Sequence, residues 1–310
     1  MDTKLTFIKI SALIALLISS FIFSNTANAT CQKTGTAITT VSGNSAKSVD
    51  NGSGAADSCS DTPDAYKLSF YRMSLCTADP SELDLSTCQD MLPTQSTSVD
   101  HTITYPTETI FDIPAFEIAP GTYPYMVAIL SNKLGIKHSI QTTNAMTGKS
   151  SSSGVYCWTS TAGPSSMANE AVVTPHGTTV SGSTQMLTCD STAGTAVFSY
   201  EVINTIQNDN CSDGYAASGD KASMGLIGNG TATISLLQSN TAFATSCANA
   251  DRFLWTSTLT TALKVTPISS FTMYMRTQDA VSVDFDSDSG NNNILKMGAD
   301  PVKVYLTVTE

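Results

Sequence analysis

Runs of alternating apolar and polar residues recur along most of the chain. The clearest is the last, Val302–Thr309, in which every second residue from Val302 to Val308 is Val or Leu. A similar alternation puts Tyr66, Leu68 and Phe70 on one side of a strand. A repeat of two residues is typical of a β-strand with one buried face. The same pattern, or a short apolar run between turns, predicts strands at 102–105, 108–113, 122–131, 136–142, 155–160, 171–174, 196–205, 231–237, 253–265, 271–276 and 281–285.

The segments between these runs are rich in Gly, Pro, Asn and Ser, and helical periodicity is scarce. Many short strands joined by such turns predict an all-β fold of one or two antiparallel β-sandwiches. The polar stretch after residue 149 is the candidate boundary, with domains at 63–149 and 150–310 or one continuous domain across both. Residues 30–62 are predicted to be a loop-rich N-terminal arm, because they are rich in Gly, Ser and Asn.

The first 29 residues have the pattern of a cleaved signal peptide. Lys4 and Lys9 precede an apolar run from Ile10 to Phe23, and Ala27-Asn28-Ala29 provides the small residues that signal peptidase accepts. The alternative is a retained membrane anchor, but the run is interrupted by serines and is shorter than the ~18–20 residues that a span needs. The sequence therefore predicts a protein that is secreted, on the surface or in the periplasm of a bacterium, with no membrane span after cleavage.

The cysteines support export. All eight follow the predicted cleavage site, and an even number in an exported chain predicts disulfides. A zinc site would need closely spaced pairs of Cys or His, and the sequence has none. Sequential pairing is the hypothesis among the 105 possible arrangements. The predicted pairs are Cys31–Cys59, Cys76–Cys88, Cys157–Cys189 and Cys211–Cys247.

Composition narrows the possible partners. Only 13% of the residues are charged, the net charge is −11, and Ser and Thr take the place of charged residues. An acidic surface does not attract nucleic acid or anionic membranes, which bind basic patches. The remaining partners are cations, neutral glycans, other surface proteins and further copies of the chain itself.

One segment carries a metal-binding pattern. Carboxylates alternate from Asp284 to Asp288, as in the first half of a calcium-binding loop. The pattern predicts a calcium site at Asp284, Asp286, Asp288 and Asn292. The alternative is a solvated hairpin loop, because Ser289 and Leu295 stand where such a loop needs Gly and Glu. No other cofactor is predicted.

No enzyme motif is complete in the sequence. Gly-x-Ser-x-Gly and His-Glu-x-x-His are absent, and only His101, His138 and His176 could act as histidine bases. The prediction is therefore that the protein is not an enzyme. Trp158 and Trp255 are candidates for a glycan-stacking platform, with packing in the core as the alternative for both.

Two segments carry a family resemblance. The run Tyr66–Thr77, followed by Pro120-Gly121-Thr122-Tyr123, resembles a group of secreted bacterial β-sandwich proteins that have no assigned activity. The Pro-Gly-Thr-Tyr turn and strand are also similar to the prealbumin-type (transthyretin-like) modules of bacterial surface proteins, over residues 64–145. The resemblance implies an immunoglobulin-like or prealbumin-like sandwich and no particular chemistry.

Three hypotheses for function follow, in this order. The first is a non-enzymatic secreted or cell-surface protein of structural or adhesin-like type, a filament subunit whose strand Val302–Thr309 completes a neighbour's sheet by β-augmentation. The second is a soluble extracellular module that binds calcium or a glycan. The third is an enzyme of a family that the sequence does not reveal.

Overall fold

The structure is a computed structural model. It describes residues 30–41, 44–50, 54–105, 109–110, 118–148, 152–160, 170–172, 187–203, 222–246, 249–285 and 292–309. These residues contain 25 β-strands and no α-helix, which confirms the predicted all-β fold. In this part of the chain, no helix is long and apolar enough to cross a membrane. The predicted signal peptide lies outside the described residues.

The strands fall into three stretches of the chain. The first contains β1 (Lys33–Thr34), β2 (Ala37–Ile38), β3 (Thr40–Val41), β4 (Asn44–Asp50), β5 (Gly54–Ala56), β6 (Ser58–Asp61), β7 (Ala65–Cys76), β8 (Cys88–Leu92) and β9 (Val99–Thr104). The second contains β10 (Thr109–Ile110), β11 (Gly121–Ser131), β12 (Lys133–Lys137), β13 (Ser139–Thr147), β14 (Ser153–Thr159), β15 (Glu170–Val172), β16 (Leu187–Asp190) and β17 (Ser199–Val202). The third contains β18 (Ala222–Ile227), β19 (Gly230–Ser239), β20 (Ala242–Phe243), β21 (Arg252–Val265), β22 (Ser270–Arg276), β23 (Val281–Phe285), β24 (Ile294–Ala299) and β25 (Lys303–Thr309).

The largest sheet has 11 strands, eight of them in the order β15-β17-β12-β7-β11-β21-β19-β18. Strands β8 and β9 also pair with β7, and β20 pairs with β19. A second sheet has the order β1-β2-β13-β14-β16. Three smaller sheets have the orders β10-β22-β25, β24-β23-β6 and β3-β4-β5. Pairing is antiparallel except between β2 and β13 and between β15 and β17.

Strand β11 is buried on both faces, which explains its nearly continuous apolar sequence. Met126 and Ala128 belong to the main core. This core contains residues from every sheet except the small β3-β4-β5 sheet. Val127 and Ile129 point to the other face, into a second apolar cluster. This second cluster is covered partly by Leu83 and Leu85, from the loop that the Cys76–Cys88 disulfide closes.

The chain passes from the largest sheet to the five-stranded sheet at His138. Strand β12 pairs with β7, and strand β13, which starts one residue after His138, pairs with β14. The predicted strand 136–142 is therefore two strands in two sheets. The backbone at the crossing is fixed by Thr159, whose N–H donates to the His138 carbonyl at 3.0 Å. The Thr159 hydroxyl accepts from the His138 N–H at 3.1 Å.

The prediction of a loop-rich arm at 30–62 is wrong. The described part of this segment contains β1 to β6, and Cys31, Ile38 and Cys59 are buried in the main core. Because β1 to β6 are short and pair through the backbone, the segment can be polar. This polar composition suggested a loop. The Cys31–Cys59 disulfide and the pairing of β6 with β23 hold the segment against the rest of the molecule.

The sheets combine strands from both sides of the predicted boundary at residue 150. In the five-stranded sheet, β13 pairs with β14 across that boundary, and in the largest sheet β11 pairs with β21. A single core cluster also takes residues from both halves.

Three of the four predicted disulfide pairs are confirmed. Cys31–Cys59, Cys76–Cys88 and Cys157–Cys189 are bonded, and none of the cysteines in the described residues is free. Two of these disulfides join residues directly opposite each other on paired strands, Cys76 with Cys88 and Cys157 with Cys189. The predicted Cys211–Cys247 pair lies outside the described residues.

Candidate functional site

A cavity of about 320 Å³ opens where the chain crosses between the largest and the five-stranded sheet. Its walls come from β1, β6, β13, β14 and the segment after β16. The polar groups of the wall are carboxylates, an ammonium, an imidazole, an amide and hydroxyls, and two aromatic rings line it as well. The side chains that matter below are those of Lys33, Asp61, Asp64, His138, Gln141, Tyr156 and Trp158.

The Asp61 carboxylate is the most strongly held of these groups. Its Oδ1 accepts from Lys33 Nζ at 2.8 Å and from the Thr62 N–H at 2.8 Å. Its Oδ2 lies 3.5 Å from His138 Nε2. Burial raises the pKa of Asp61, but the contacts with His138 and then with Lys33 outweigh burial and lower the pKa to about 2. Asp61 is therefore a carboxylate at neutral pH.

His138 is buried, with its side chain 3% exposed. Neither ring nitrogen makes a hydrogen bond to another described residue, so the contact with Asp61 is electrostatic rather than a formed hydrogen bond. The sequence left open whether His138 faces the core or solvent. The structure places it in the interior, where it lines the cavity.

The aromatic side of the cavity is built on β13 and β14. Ser139 lies opposite Trp158 and Gln141 lies opposite Tyr156, so alternation puts all four side chains on one face of the sheet. Between the aromatic residues, Cys157 points to the other face and bonds to Cys189. The disulfide therefore anchors the strand that carries both rings.

The rim of the cavity is fixed by short contacts. The Ser139 hydroxyl donates to Asp64 Oδ2 at 2.8 Å, and the Thr36 hydroxyl donates to Gln141 Oε1 at 3.3 Å. Gly194 is needed beside Trp158, because a Cβ at that position would lie 2.2 Å from the indole ring. The indole thus packs directly on the backbone, which sets its position in the cavity wall.

Sequence analysis missed Lys33 and Asp61 because they lie in the segment 30–62, which was predicted to be a loop-rich arm. It also missed Asp64, which lies two residues before Tyr66. A signal was present in the cysteines. Lys33 and Asp61 each stand two residues after a cysteine of the Cys31–Cys59 pair, and Thr30 forms a parallel bridge with Ser60. The predicted disulfide thus indicated that the two segments lie together, and the structure shows that Lys33 and Asp61 meet there.

A second charged cluster joins β17 to the β24-β23-β6 sheet. Lys296 Nζ lies 3.5 Å from Glu201 Oε1 and 3.4 Å from Asp284 Oδ2. The other Glu201 oxygen accepts from the Ala299 N–H, and Asp300 accepts from the Ser60 hydroxyl at 3.3 Å. One ammonium thus stands among three carboxylates.

The balance of charge shifts the pKa values in this cluster. Burial and then the charges of Glu201 and Asp284 raise the pKa of Asp300 to about 7, against the influence of Lys296 and Ser60. Burial lowers the pKa of Lys296, but the charges of Glu201 and Asp284 outweigh burial and raise the pKa above its ordinary value. Lys296 therefore remains protonated, and Asp300 titrates near neutrality.

Only part of the predicted calcium site is described. Asp284 accepts from the Ser282 hydroxyl and pairs with Lys296, and Asn292 is exposed. Asp286 and Asp288 lie outside the described residues. Within the described ranges no group of three or more His, Cys, Asp or Glu side chains could hold a metal ion. The calcium site stays a prediction, which calorimetry with Ca²⁺ on the wild type and on Asp286→Ala would test.

The terminal strand is paired inside its own chain. Strand β25 aligns with β22 from Lys303 opposite Arg276 to Thr309 opposite Ser270. On its other edge, the Asn229 side chain accepts from the Leu306 N–H at 2.8 Å, and the Asn229 N–H donates to the Val304 carbonyl at 3.3 Å. Assembly by β-augmentation through β25 would therefore need this strand to leave β22.

The remaining candidate residues lie elsewhere. Trp255 packs against the main core and lines a separate apolar cavity of about 90 Å³. His101 is on β9, where burial lowers its pKa, and His176 lies outside the described residues. The structure therefore brings His138 and Trp158 to one cavity and places His101 and Trp255 outside its lining.

Comparisons of the chain with protein-family models, with curated proteins and with solved structures found no match. Function is therefore inferred from the geometry of the site alone.

Proposed function

We propose that the chain is an exported, non-enzymatic surface protein of adhesin-like type, which binds a ligand in the cavity beside Asp61 and His138. The observation that carries the proposal is a cavity of about 320 Å³ whose lining combines the rings of Tyr156 and Trp158 with charged and amide side chains. Ligand sites typically measure ~300–1,000 Å³ and combine apolar walls with a few convergent polar groups.

Export is supported by the disulfides and by the sequence of the first 29 residues. Disulfides persist in oxidising compartments such as the periplasm and the extracellular space. The three observed disulfides are consistent with either of these locations. A disulfide-anchored sheet also suits a protein that binds outside the cell, because it holds the site rigid without a large core.

Binding is favoured over catalysis by the contacts around His138. A histidine that activates a nucleophile makes a hydrogen bond to a hydroxyl or thiol, and a third group orients the ring. His138 makes no hydrogen bond to a hydroxyl or thiol among the described residues. Ser139, the next residue, gives its hydroxyl hydrogen to Asp64 instead.

The protein could also act as a filament subunit, as the sequence predicts. This form of the proposal depends on β25, which would have to leave β22 to enter a neighbour's sheet. Deleting residues 302–310 separates the two versions. If β25 serves only its own sheet, the truncated chain loses stability, since Val304 and Leu306 are buried. If β25 assembles filaments, negative-stain microscopy of the wild type shows filaments that the truncated chain lacks.

Ligand binding by the cavity is tested by measuring how well the protein adheres to coated surfaces. Fluorescent beads coated with mature protein (residues 30–310) would be applied to mucin, collagen, fibronectin and chitin. We expect retention on at least one surface, its loss in Trp158→Ala, and its preservation in Trp255→Phe, which changes the separate apolar cavity. Circular dichroism would verify that both variants fold. Retention that Trp158→Ala leaves unchanged, or no retention on any surface, would contradict the proposal.

A further inference from the structure

The floor of the cavity contains polar groups whose bonding capacity is unfilled within the described protein. His138 offers two ring nitrogens, and neither has a hydrogen-bond partner there. Asp61 accepts twice at Oδ1, and its Oδ2 lies 3.5 Å from His138 Nε2. Leaving such groups buried and unpaired costs ~1–3 kcal/mol each, so folding alone does not explain them. A ligand that bonds to them would recover this free energy.

The chemistry of these groups limits the class of ligand. A carboxylate only accepts hydrogen bonds, whereas a neutral imidazole donates at one nitrogen and accepts at the other. A hydroxyl both donates and accepts, so neighbouring hydroxyls on one ligand can satisfy Asp61 and His138 together. Lys33 is paired with Asp61, and Asp64 also lines the cavity, so an anionic ligand would gain little in a chain of net charge −11. A ligand with several hydroxyls and no charge fits best.

The aromatic residues of the cavity favour a ring-shaped ligand. Tyr156 and Trp158 share one face of β14, two residues apart, with Gln141 and Ser139 opposite them on β13. Aromatic faces pack against the C–H face of a pyranose ring, while the amide of Gln141 can bond to a hydroxyl at the ring edge. This face of the sheet therefore offers apolar contact and hydrogen bonds side by side.

We propose that the cavity binds an uncharged pyranose unit of a glycan, stacked on the aromatic wall of Tyr156 and Trp158 and hydrogen-bonded to Asp61 and His138. This inference rests on the proposed function and names its ligand class. It makes His138 a ligand-contacting residue.

The experiment measures competition on the surface that retains the beads. Methyl glycosides of glucose, galactose, mannose and N-acetylglucosamine serve as probes, with methyl glucuronide as the charged counterpart of methyl glucoside. We expect at least one neutral glycoside to displace the protein and methyl glucuronide to fail. We also expect periodate oxidation to abolish binding to a surface whose sugars carry vicinal diols, which excludes chitin. In His138→Leu, binding weakens at least about tenfold, since a hydrogen bond to the buried site is lost, and circular dichroism verifies that the variant folds.

The controls separate this inference from the proposed function. If His138→Leu does not fold, Gln141→Ala at the rim replaces it, with a smaller loss of affinity expected. Binding that resists periodate and all glycosides, yet is lost in Trp158→Ala, would overturn the glycan inference and leave the proposed function standing. Binding that His138→Leu and Gln141→Ala both retain in full would overturn the inference as well. Absence of binding by the wild type to every surface would overturn both.

Discussion

Two charged clusters in the molecule surround a buried carboxyl group with different neighbours. In the cavity cluster, the Asp61 carboxylate lies beside Lys33 and His138. The inter-sheet cluster has one ammonium, Lys296, surrounded by the carboxylates of Glu201, Asp284 and Asp300. The pKa of Asp61 is lowered to about 2, whereas the pKa of Asp300 is raised to about 7.

The difference teaches that burial alone does not set the direction of a pKa shift. Burial raises the pKa of both acids, and the sign of the neighbouring charges decides the outcome. In the cavity cluster, the ring nitrogens of His138 have no hydrogen-bond partner among the described residues, which suits a binding site. In the inter-sheet cluster, Glu201 and Lys296 link β17 to β24, which suits a structural contact.

The largest effect is expected for Lys296→Met. Removing the ammonium leaves Glu201, Asp284 and Asp300 without their common partner, and breaking a buried pair in this way costs ~3–5 kcal/mol of unfolding free energy. Urea unfolding at pH 8 measures the loss. The loss should shrink at pH 5, because protonation of Asp300 relieves part of the repulsion. A variant as stable as the wild type at pH 8 would show that the cluster does not hold the sheets together.

The second effect is a fall in stability as the pH rises. Asp300 has a folded pKa of about 7 and an ordinary unfolded value, so the folded state binds its proton more tightly. The stability from this group is fully present below about pH 4 and is lost as the pH rises through 7. We expect the wild type to lose ~2–4 kcal/mol between pH 4 and pH 8 from this group, at ~1.4 kcal/mol per pKa unit.

Asp300→Asn removes that dependence. The variant should be more stable than the wild type at pH 8 and should show a flatter curve of unfolding free energy against pH. Parallel curves for the two proteins would mean that the pKa of Asp300 is not raised.

The third effect has the opposite sign and belongs to the cavity. Asp61 has a folded pKa of about 2, so its stabilising contribution is present above about pH 4 and is lost as the pH falls toward 2. Asp61→Asn should cost ~1–3 kcal/mol at pH 7, because the hydrogen bond to a charged partner is lost. The difference from the wild type should vanish near pH 2. Thermal unfolding across pH 2–7 measures it, and a constant difference across this range would contradict the assignment.

The smallest effect is expected for Lys33→Met. This lysine also pairs with a buried carboxylate, but its side chain is 39% exposed, against 14% for Lys296. Solvent screens such a pair, so its removal should cost ~1 kcal/mol or less. Urea unfolding of Lys33→Met and Lys296→Met side by side sharpens the comparison. Equal losses would show that exposure does not distinguish the two lysines.

Most of the fold could be predicted from patterns among residues that lie close together along the chain. Alternation and apolar runs located strands such as Gly121–Ser131 and Val281–Phe285 closely, because a half-buried strand constrains every second residue. Sequential pairing of cysteines was confirmed for three disulfides. The segment 30–62 was misjudged because its strands are held by backbone pairing and a disulfide, which leave little mark on composition.

The site was less predictable than the fold. Lys33, Asp61 and His138 are distant along the chain, and the chemistry of the site depends on their meeting at the crossing between two sheets. Trp158 was identified as a candidate, but the sequence did not distinguish it from Trp255, which packs on the core. Only the register of β13 and β14 shows which tryptophan faces polar neighbours.

The most direct test of the central claim is the fluorescence of Trp158. Trp158 and Trp255 are the two tryptophans of the chain, so in Trp255→Phe the indole emission comes from Trp158 alone. Titration with the methyl glycoside that displaces the protein from its surface should shift this emission and protect it from acrylamide quenching. The reciprocal Trp158→Phe protein, which reports on Trp255, should show no change. A response from Trp255, or none from Trp158 when the ligand is bound, would contradict the assignment of the cavity as the binding site.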